Sequence, residues 1–419
     1  MDRVVEVRPI GPRDPLSDPM LRRALAERYL VWDACVAGAR RVDVHPLILP
    51  RATHLAAVRA AEEVVRVVGD VAARAHVDAN ERALYRIPRF VEDLAAASHE
   101  SGDHAILARV DLLLGEDGQW RACEINADCP GGHNEALGLP QLARAAGFHG
   151  AFDPTRVTDV LVARLAQLAR GRAVGLMHAT GYAEDLQVCA LIQRLLTKHG
   201  VRAVLVPPTA PKLHGGEIVA RGERIGVLYR YFPAEYMEGQ NNVGDVITAV
   251  RTGAVRTLTS FAHIYTQSKL SFARAWAHEG SLGDAARRSL ASFVPESRDA
   301  TSLPREQLIG ERSSWVLKRA YGRVGDQVYV GALFDDDGWK AIVRDVLAGC
   351  ASGESWIAQR FVKQRTVPTP WGERFVTLGA YVMDGRFAGY FARITPESHV
   401  SHDALCVPVF VDNASPEAA

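Results

Sequence analysis

Apolar residues recur at helical spacing over two early stretches, 18–44 and 50–75, the second carrying Leu55, Val58, Val64, Val65 and Val68. Pro46 and Pro50 break the pattern between them, since proline lacks the N–H that a helix interior needs. The first hundred residues are therefore expected to be mainly helical. Over 104–126 the period shortens to that of a strand pair, and 155–169 returns to a helix. Residues 172–207 predict a strand at 173–177, a helix from 184 to 199 stopped by Gly200, and a strand at 203–206, a βαβ-like unit. Residues 225–230 (IGVLYR) add a strand. From 255 onward strands and helices alternate, with a hairpin whose arms are 374–383 and 386–394 around Asp384-Gly385. No internal repeat or low-complexity segment interrupts the chain, and the tail after Asn413 is expected to be loose.

Composition narrows what such a chain can be. At 419 residues it has room for two or three domains, and 48% hydrophobic against 23% charged residues argues against disorder. Basic and acidic residues balance at 49 each, so no global field draws it to nucleic acid or anionic lipid. No apolar run approaches the roughly 18 residues that cross a bilayer. The opening MDRVVEVRPIGPRDP lacks the apolar centre of a signal peptide. The six cysteines show no CxxC spacing, which fits buried thiols in a reducing cytoplasm. Lysine occurs six times against 43 arginines, so each lysine is a candidate for a role arginine fills less well.

Several common chemistries are absent. No lysine follows a glycine, which excludes a phosphate-binding Walker loop, and neither a GxSxG elbow nor a GxGxxG fingerprint occurs. His99 and His104 are five apart with a glycine between them, the wrong spacing for a zinc-protease helix and better read as loop histidines.

The strongest signal is HAILARVDLLLGEDGQWRACEINADCPGGHNE, residues 104–135. A two-residue turn at Asp117-Gly118 would set Asp111 opposite Glu124 and Arg109 opposite Asn126, all on one face, with Val110, Leu112 and Ile125 on the other. Carboxylates directly opposed lie about 5 Å apart and repel by about 3 kcal/mol at an effective dielectric near ~20. Something positive must fill that gap. Arg109 is one partner, and a divalent cation suits Asp, Glu and an Asn carbonyl, which are hard oxygen ligands of the kind magnesium prefers. The plainer reading is an exposed Arg–Asp–Glu network. The polar glycine-containing loop that follows, residues 127–135, favours a ligand, since it offers backbone N–H groups.

Downstream, Lys318 ends the apolar run Trp315-Val316-Leu317 and precedes Tyr321-Gly322-Arg323-Val324-Gly325, after which 327–334 predicts a returning strand. Such a loop can close over a triphosphate, with glycines permitting close approach and Lys318 and Arg323 supplying charge. Lys269 opens a helix, and 356–362 (WIAQRFV) predicts a buried strand with Gln359 as its polar member.

In order, these segments resemble the synthetase domain of glutathionylspermidine synthase and its shorter relatives. Arg109-x-Asp111, Glu124-x-Asn126-Ala127-Asp128 and His133-x-Glu135 resemble its acidic block. Residues 227–237 resemble the W-R-Y-Y-P-x-E-W segment, Ser268-Lys269 stands at its N-K, and Lys318 with Tyr321–Gly325 resembles K-P-x-x-G-R-x-G. Gln359-Arg360-Phe361 resembles Q-E-F, and 389–393 the late G-x-x-x-R stretch. The resemblance spans roughly residues 100–412.

It implies an α/β (α+β) fold, a circularly permuted ATP-grasp with an inserted pre-ATP-grasp α/β domain and a helical N-terminal region. The implied units are 1–100, helical; 101–150 with 255–413, the catalytic domain; 151–254, the inserted domain; and 414–419, a tail. It implies a ligase that uses ATP and Mg2+ to join a carboxylate to an amine through an acyl-phosphate, cytoplasmic, with homo-oligomerisation left open. Asp111, Glu124 and Asn126 would hold magnesium. Lys269, Lys318, Gly322, Arg323, Gly325 and Gln359 would bind ATP. Arg109, Arg323 and Arg393 would serve catalysis, and Asp128, His133, Glu135 and Glu235 would face substrate. Ile394 stands where relatives have Glu, and Cys129-Pro130-Gly131-Gly132 replaces a Ser-rich loop, so substrates other than glutathione and spermidine are expected. A small-molecule kinase and a catalytically silent nucleotide-binding protein are the alternatives.

Overall fold

The computed structural model of the chain describes residues 4–322, 327–398 and 404–412. The tail expected at 414–419 lies outside the described residues, as do Arg323 and Gly325 of the glycine loop.

Helix α1 (Arg51–Ala72) begins directly after Pro50 and buries Val64, Val65, Val67, Val68 and Val71, while Leu55 at its first turns stays exposed. Helix α2 (Arg89–Glu100) follows. The helical spacing read over 18–44 holds over its first part, where Pro19–Arg23 is α-helical and Ala24–Arg28 continues as a π-helix. Its second half folds instead as the small hairpin Cys35–Val36/Ala39–Arg40. The reason is local: Ala37 and Gly38 both adopt positive φ, a tight turn that no helix passes through.

Strands β1 (Leu107–Leu114) and β2 (Trp120–Asn126) pair antiparallel and lead into helix α3 (His133–Ala145). The chain then crosses into a second sheet through β3 (Ala173–His178), helix α4 (Ala183–Lys198), β4 (Ala203–Val206) and β5 (Glu223–Tyr231). There β3 pairs parallel with both β4 and β5, as a strand–helix–strand crossover between neighbouring strands requires. After helix α5 (Leu270–Ala277) comes a third, antiparallel sheet of β6 (Ser297–Asp299), β7 (Trp315–Arg319), β8 (Val328–Val330) and, beyond helix α6 (Asp336–Ala351), β9 (Trp356–Arg360). The strand expected to run to Phe334 ends at Val330 and gives way to a 3-10 turn.

The chain finally returns to the first sheet. Strands β10 (Gly372–Met383) and β11 (Arg386–Thr395) form the anticipated hairpin, with Asp384 and Gly385 both at positive φ. Strand β10 pairs with β1, so a sheet containing residues 107–126 is completed by residues some 250 positions later. One face of it packs Val110, Leu112, Ile125, Leu378 and Ile394 against the valines of α1. The opposite face looks toward the third sheet, and between them lies the site.

Candidate active site

The hairpin β1–β2 places Arg109 opposite Asn126 and Asp111 opposite Glu124, as expected. The turn that does so is not the expected one. The loop has three residues, 116–118, closed by Gly115 N–H to Gln119 O at 2.9 Å, which shifts the register by one, so that Leu114 faces Trp120. A bulge at Cys123 shifts it back before Glu124. Without that extra residue every side chain of β2 beyond it would turn to the wrong face. The bulge also frees the Cys123 carbonyl, which accepts a hydrogen bond from Lys318 Nζ at 2.9 Å.

The same Lys318 Nζ donates to Gln359 Oε1 at 2.7 Å, and Gln359 Nε2 in turn donates to Ser297 Oγ at 3.1 Å. Gln359 therefore aims the lysine across the gap between the sheets. Lys269 Nζ reaches the same point from the start of α5, 3.4 Å from Glu124 Oε2 and donating to Gly322 O at 2.7 Å. Arg109 grips Asp111 through Nε and a terminal nitrogen at 2.7 and 3.0 Å, and Arg393 on β11 adds 2.7 Å to the same carboxylate. Gly379 lies opposite Asp111 on β10, and a Cβ there would stand 2.7 Å from the Arg109 side chain, so glycine leaves the arginine its path over the sheet.

Four cations thus converge on two carboxylates. Burial pushes the Glu124 carboxyl up, but Lys269 foremost, then Lys318, Arg393 and Arg109, outweigh it and hold it well below the usual carboxylate range. Burial pulls the Lys318 ammonium down, opposed by Cys123 and Glu124. Burial also pushes the Cys123 thiol up to about 12, which keeps it a neutral spectator.

The oxygen donors fit a hard divalent cation. Asp111 and Glu124 are adjacent, and the Asn126 amide lies between them at 3.4 and 3.3 Å, contacts long enough that its carbonyl can turn inward instead. Among the described residues no three His, Cys, Asp or Glu side chains converge to hold a metal, so this candidate set depends on its asparagine.

A cavity of about 300 Å3 opens over these groups. Its walls come from both antiparallel sheets: Asp111, Glu124 and Arg393 on one side, Val316, Lys318 and Gln359 on the other. Glu135 lines it as well. The other residues expected to face substrate stand elsewhere. Asp128 is sealed against Arg230, their side chains 0% and 1% exposed, at 2.8 Å, and also accepts from Ala234 N–H. His133 is buried beneath Tyr229, whose hydroxyl is 3.3 Å away, and burial together with Arg109 pulls its imidazole down to about 3, so it stays neutral. Glu235 follows Ala234 at the end of this buried segment and is not part of the cavity wall.

The loop between them is built for close approach. Gly131 O accepts from Arg109 at 3.0 Å and from the Tyr381 hydroxyl at 2.5 Å. At Gly132, φ is 94° and a Cβ would meet the Phe391 ring at 2.6 Å. Gln267 Oε1 takes the Ala127 and Asp128 N–H groups at 2.6 and 2.9 Å. Reading the sequence missed Gln267, Phe391, Asp33, Arg41 and Glu184, the last four also lining the cavity. Gln267, just before Ser268-Lys269, and Phe391, inside the 389–393 stretch, had a nearby signal; the other three had none.

Ile394 follows Arg393 on β11 and therefore points to the other face, into the core with 2% exposure. Its departure from the family's Glu removes no group from this cavity. Among the described residues no helix is long and apolar enough to cross a membrane.

The mixed α/β fold and the family match together give the ATP-grasp class, in general terms that of ATP-dependent ligases. Within it the chain belongs to the glutathionylspermidine synthase pre-ATP-grasp family, whose model matches residues 49–412. No curated protein matches the chain. Among solved structures, D-alanyl-alanine synthetase A from Vibrio cholerae O1 biovar eltor str. N16961 is similar at a TM-score of 0.33 and 14% identity, over 54% of this chain and 69% of that one.

Proposed function

We propose that the protein joins a carboxylate to an amine at the expense of ATP, by way of an acyl-phosphate. The observation that carries this reading is the convergence of Arg109, Lys269, Lys318 and Arg393 on Asp111 and Glu124 at one cavity between two sheets. Such an excess of buried positive charge suits a polyphosphate.

In this reading the catalytic domain comprises 101–150 and 255–413, and 151–254 is the inserted domain. Lys318, held by Gln359, and Lys269 contact the phosphates, while Val316, Val328 and Val330 give the nucleotide base an apolar wall. Asp111, Glu124 and Asn126 would hold magnesium, which would supply neutralisation of the phosphate charge. Arg109 and Arg393 orient the acid. A carboxylate oxygen attacks the γ-phosphorus, and the bond to the departing ADP breaks. The amine nitrogen then attacks the acyl carbon, phosphate leaves, and the amine's proton is taken up. The chain supplies position and electrostatics and forms no covalent intermediate of its own.

Trapping with hydroxylamine tests this. ADP release accompanied by a hydroxamate supports the acyl-phosphate. ADP release without one, across a broad panel of carboxylates, would instead point to phosphotransfer onto another acceptor.

A further inference from the structure

Part of the cavity wall is acidic. The guanidiniums of Arg109 and Arg393 lie over the Phe391 ring, 5.4 and 5.7 Å from its centroid. The same walls also carry a mutually interacting group of three carboxyls, Asp33, Glu135 and Glu184, and one cation, Arg41. Burial foremost, then Asp33 through its charge and a side-chain hydrogen bond, pushes up the carboxyl of Glu184, a residue that remains exposed at its outer side. Burial and then the charge of Asp33 push Glu135 up to about 7. Arg41 is near enough to lower both, yet its Nε is buried without a hydrogen-bond partner among the described residues.

Two independent needs meet here. Crowded carboxyls call for a cation, and a buried guanidinium nitrogen without an acceptor calls for an anion. A simple amine answers only the first. Resting on the ligase reading above, we infer that this part of the cavity receives the amine substrate and that this substrate is an α-amino acid, its ammonium toward Asp33, Glu135 and Glu184 and its carboxylate toward Arg41.

The assignment also gives the second half-reaction its base. An ammonium cannot attack until it loses a proton. Glu135 lies in the first turn of α3, four residues after the Gly131 carbonyl that Arg109 holds, so of the three carboxyls it is the one tied by the chain to the acyl-activating end. It takes the ammonium proton as the C–N bond forms, and the C–O bond to phosphate breaks with its electron pair leaving on phosphate.

The test compares α-amino acids with the same amines lacking the α-carboxylate, using wild-type enzyme and a carboxylate that yields hydroxamate. The expected result is at least a tenfold preference in kcat/KM for the amino acid. Arg41→Met should abolish that preference by raising KM for the amino acid, and Arg41→Lys should restore part of it. Glu135→Gln should lower kcat/KM for the amino acid by about 100-fold and remove the acid limb of its pH profile. Equal use of both amine classes by the wild type, an unchanged preference in Arg41→Met, or an effect of Arg41→Met confined to the KM of the acid substrate would overturn the inference. Absence of hydroxamate in every wild-type reaction would overturn the ligase reading itself, a separate and distinguishable failure.

Discussion

Two arginine–aspartate pairs lie close together in this molecule, and they are used in opposite ways. Asp128 is closed in with Arg230, and Arg230 spends its other donors on the Thr259 and Phe232 carbonyls. Asp111 is as deeply buried, at 1% exposure, but it is shared by Arg109 and Arg393 and faces a cavity. In the first pair each charge is matched within the protein and nothing is left to bind. In the second, Lys269 and Lys318 crowd the neighbouring Glu124 as well, so the cations outnumber the carboxylates. Burial alone therefore does not mark a functional carboxylate. The mark is burial beside a cavity with its charges unbalanced.

That contrast can be broken by mutation. Asp111→Asn should lower ligation by about 1,000-fold, since a group acting on transition-state charge is lost, and should also destabilise, because Arg109 and Arg393 lose their shared counter-charge. Asp128→Asn should cost stability alone. It leaves the buried Arg230 without its counter-charge and should destabilise by about 3 kcal/mol in denaturant titrations, with kcat of the folded fraction nearly unchanged. If Asp128→Asn instead proved stable and inactive, the two pairs would not be the opposites described. Lys318→Met should come next, lowering kcat by about 100-fold, and Gln359→Ala should mimic it in part because the lysine loses its guide. The smallest effect is expected at Gly132→Ala. Its positive φ and the Phe391 ring beneath it should cost about 1–2 kcal/mol and raise KM more than they lower kcat, which steady-state kinetics would resolve.

The sequence made the open pair legible and left the sealed pair misread, for a physical reason. Arg109, Asp111, Glu124 and Asn126 sit on one hairpin, where alternation alone decides which side chains share a face. Even there two errors cancelled: the turn is one residue longer than its Asp-Gly suggests, and the Cys123 bulge makes up the difference. Asp128 looked like a site residue because it continues the acidic motif, and its true partner lies about a hundred positions away on β5. Asp33, Arg41 and Glu184 lack any local pattern, since two separate segments, the small hairpin at 33–41 and the start of α4, bring them to one wall. The βαβ unit at 173–206 was readable almost to the residue because its strands are short, apolar but for His178, and punctuated by Gly200. The segment 18–44 was not, because a two-residue turn overrode its helical spacing.

The most direct test is a manganese titration followed by electron paramagnetic resonance, with ADP present and absent, on the wild type and on Glu124→Gln. Metal that binds tightly only with nucleotide, and no longer does so once Glu124 is neutralised, is the predicted result. Equal manganese affinity in both proteins would mean that the paired strands do not present their oxygens to a cation, contradicting the account at its root.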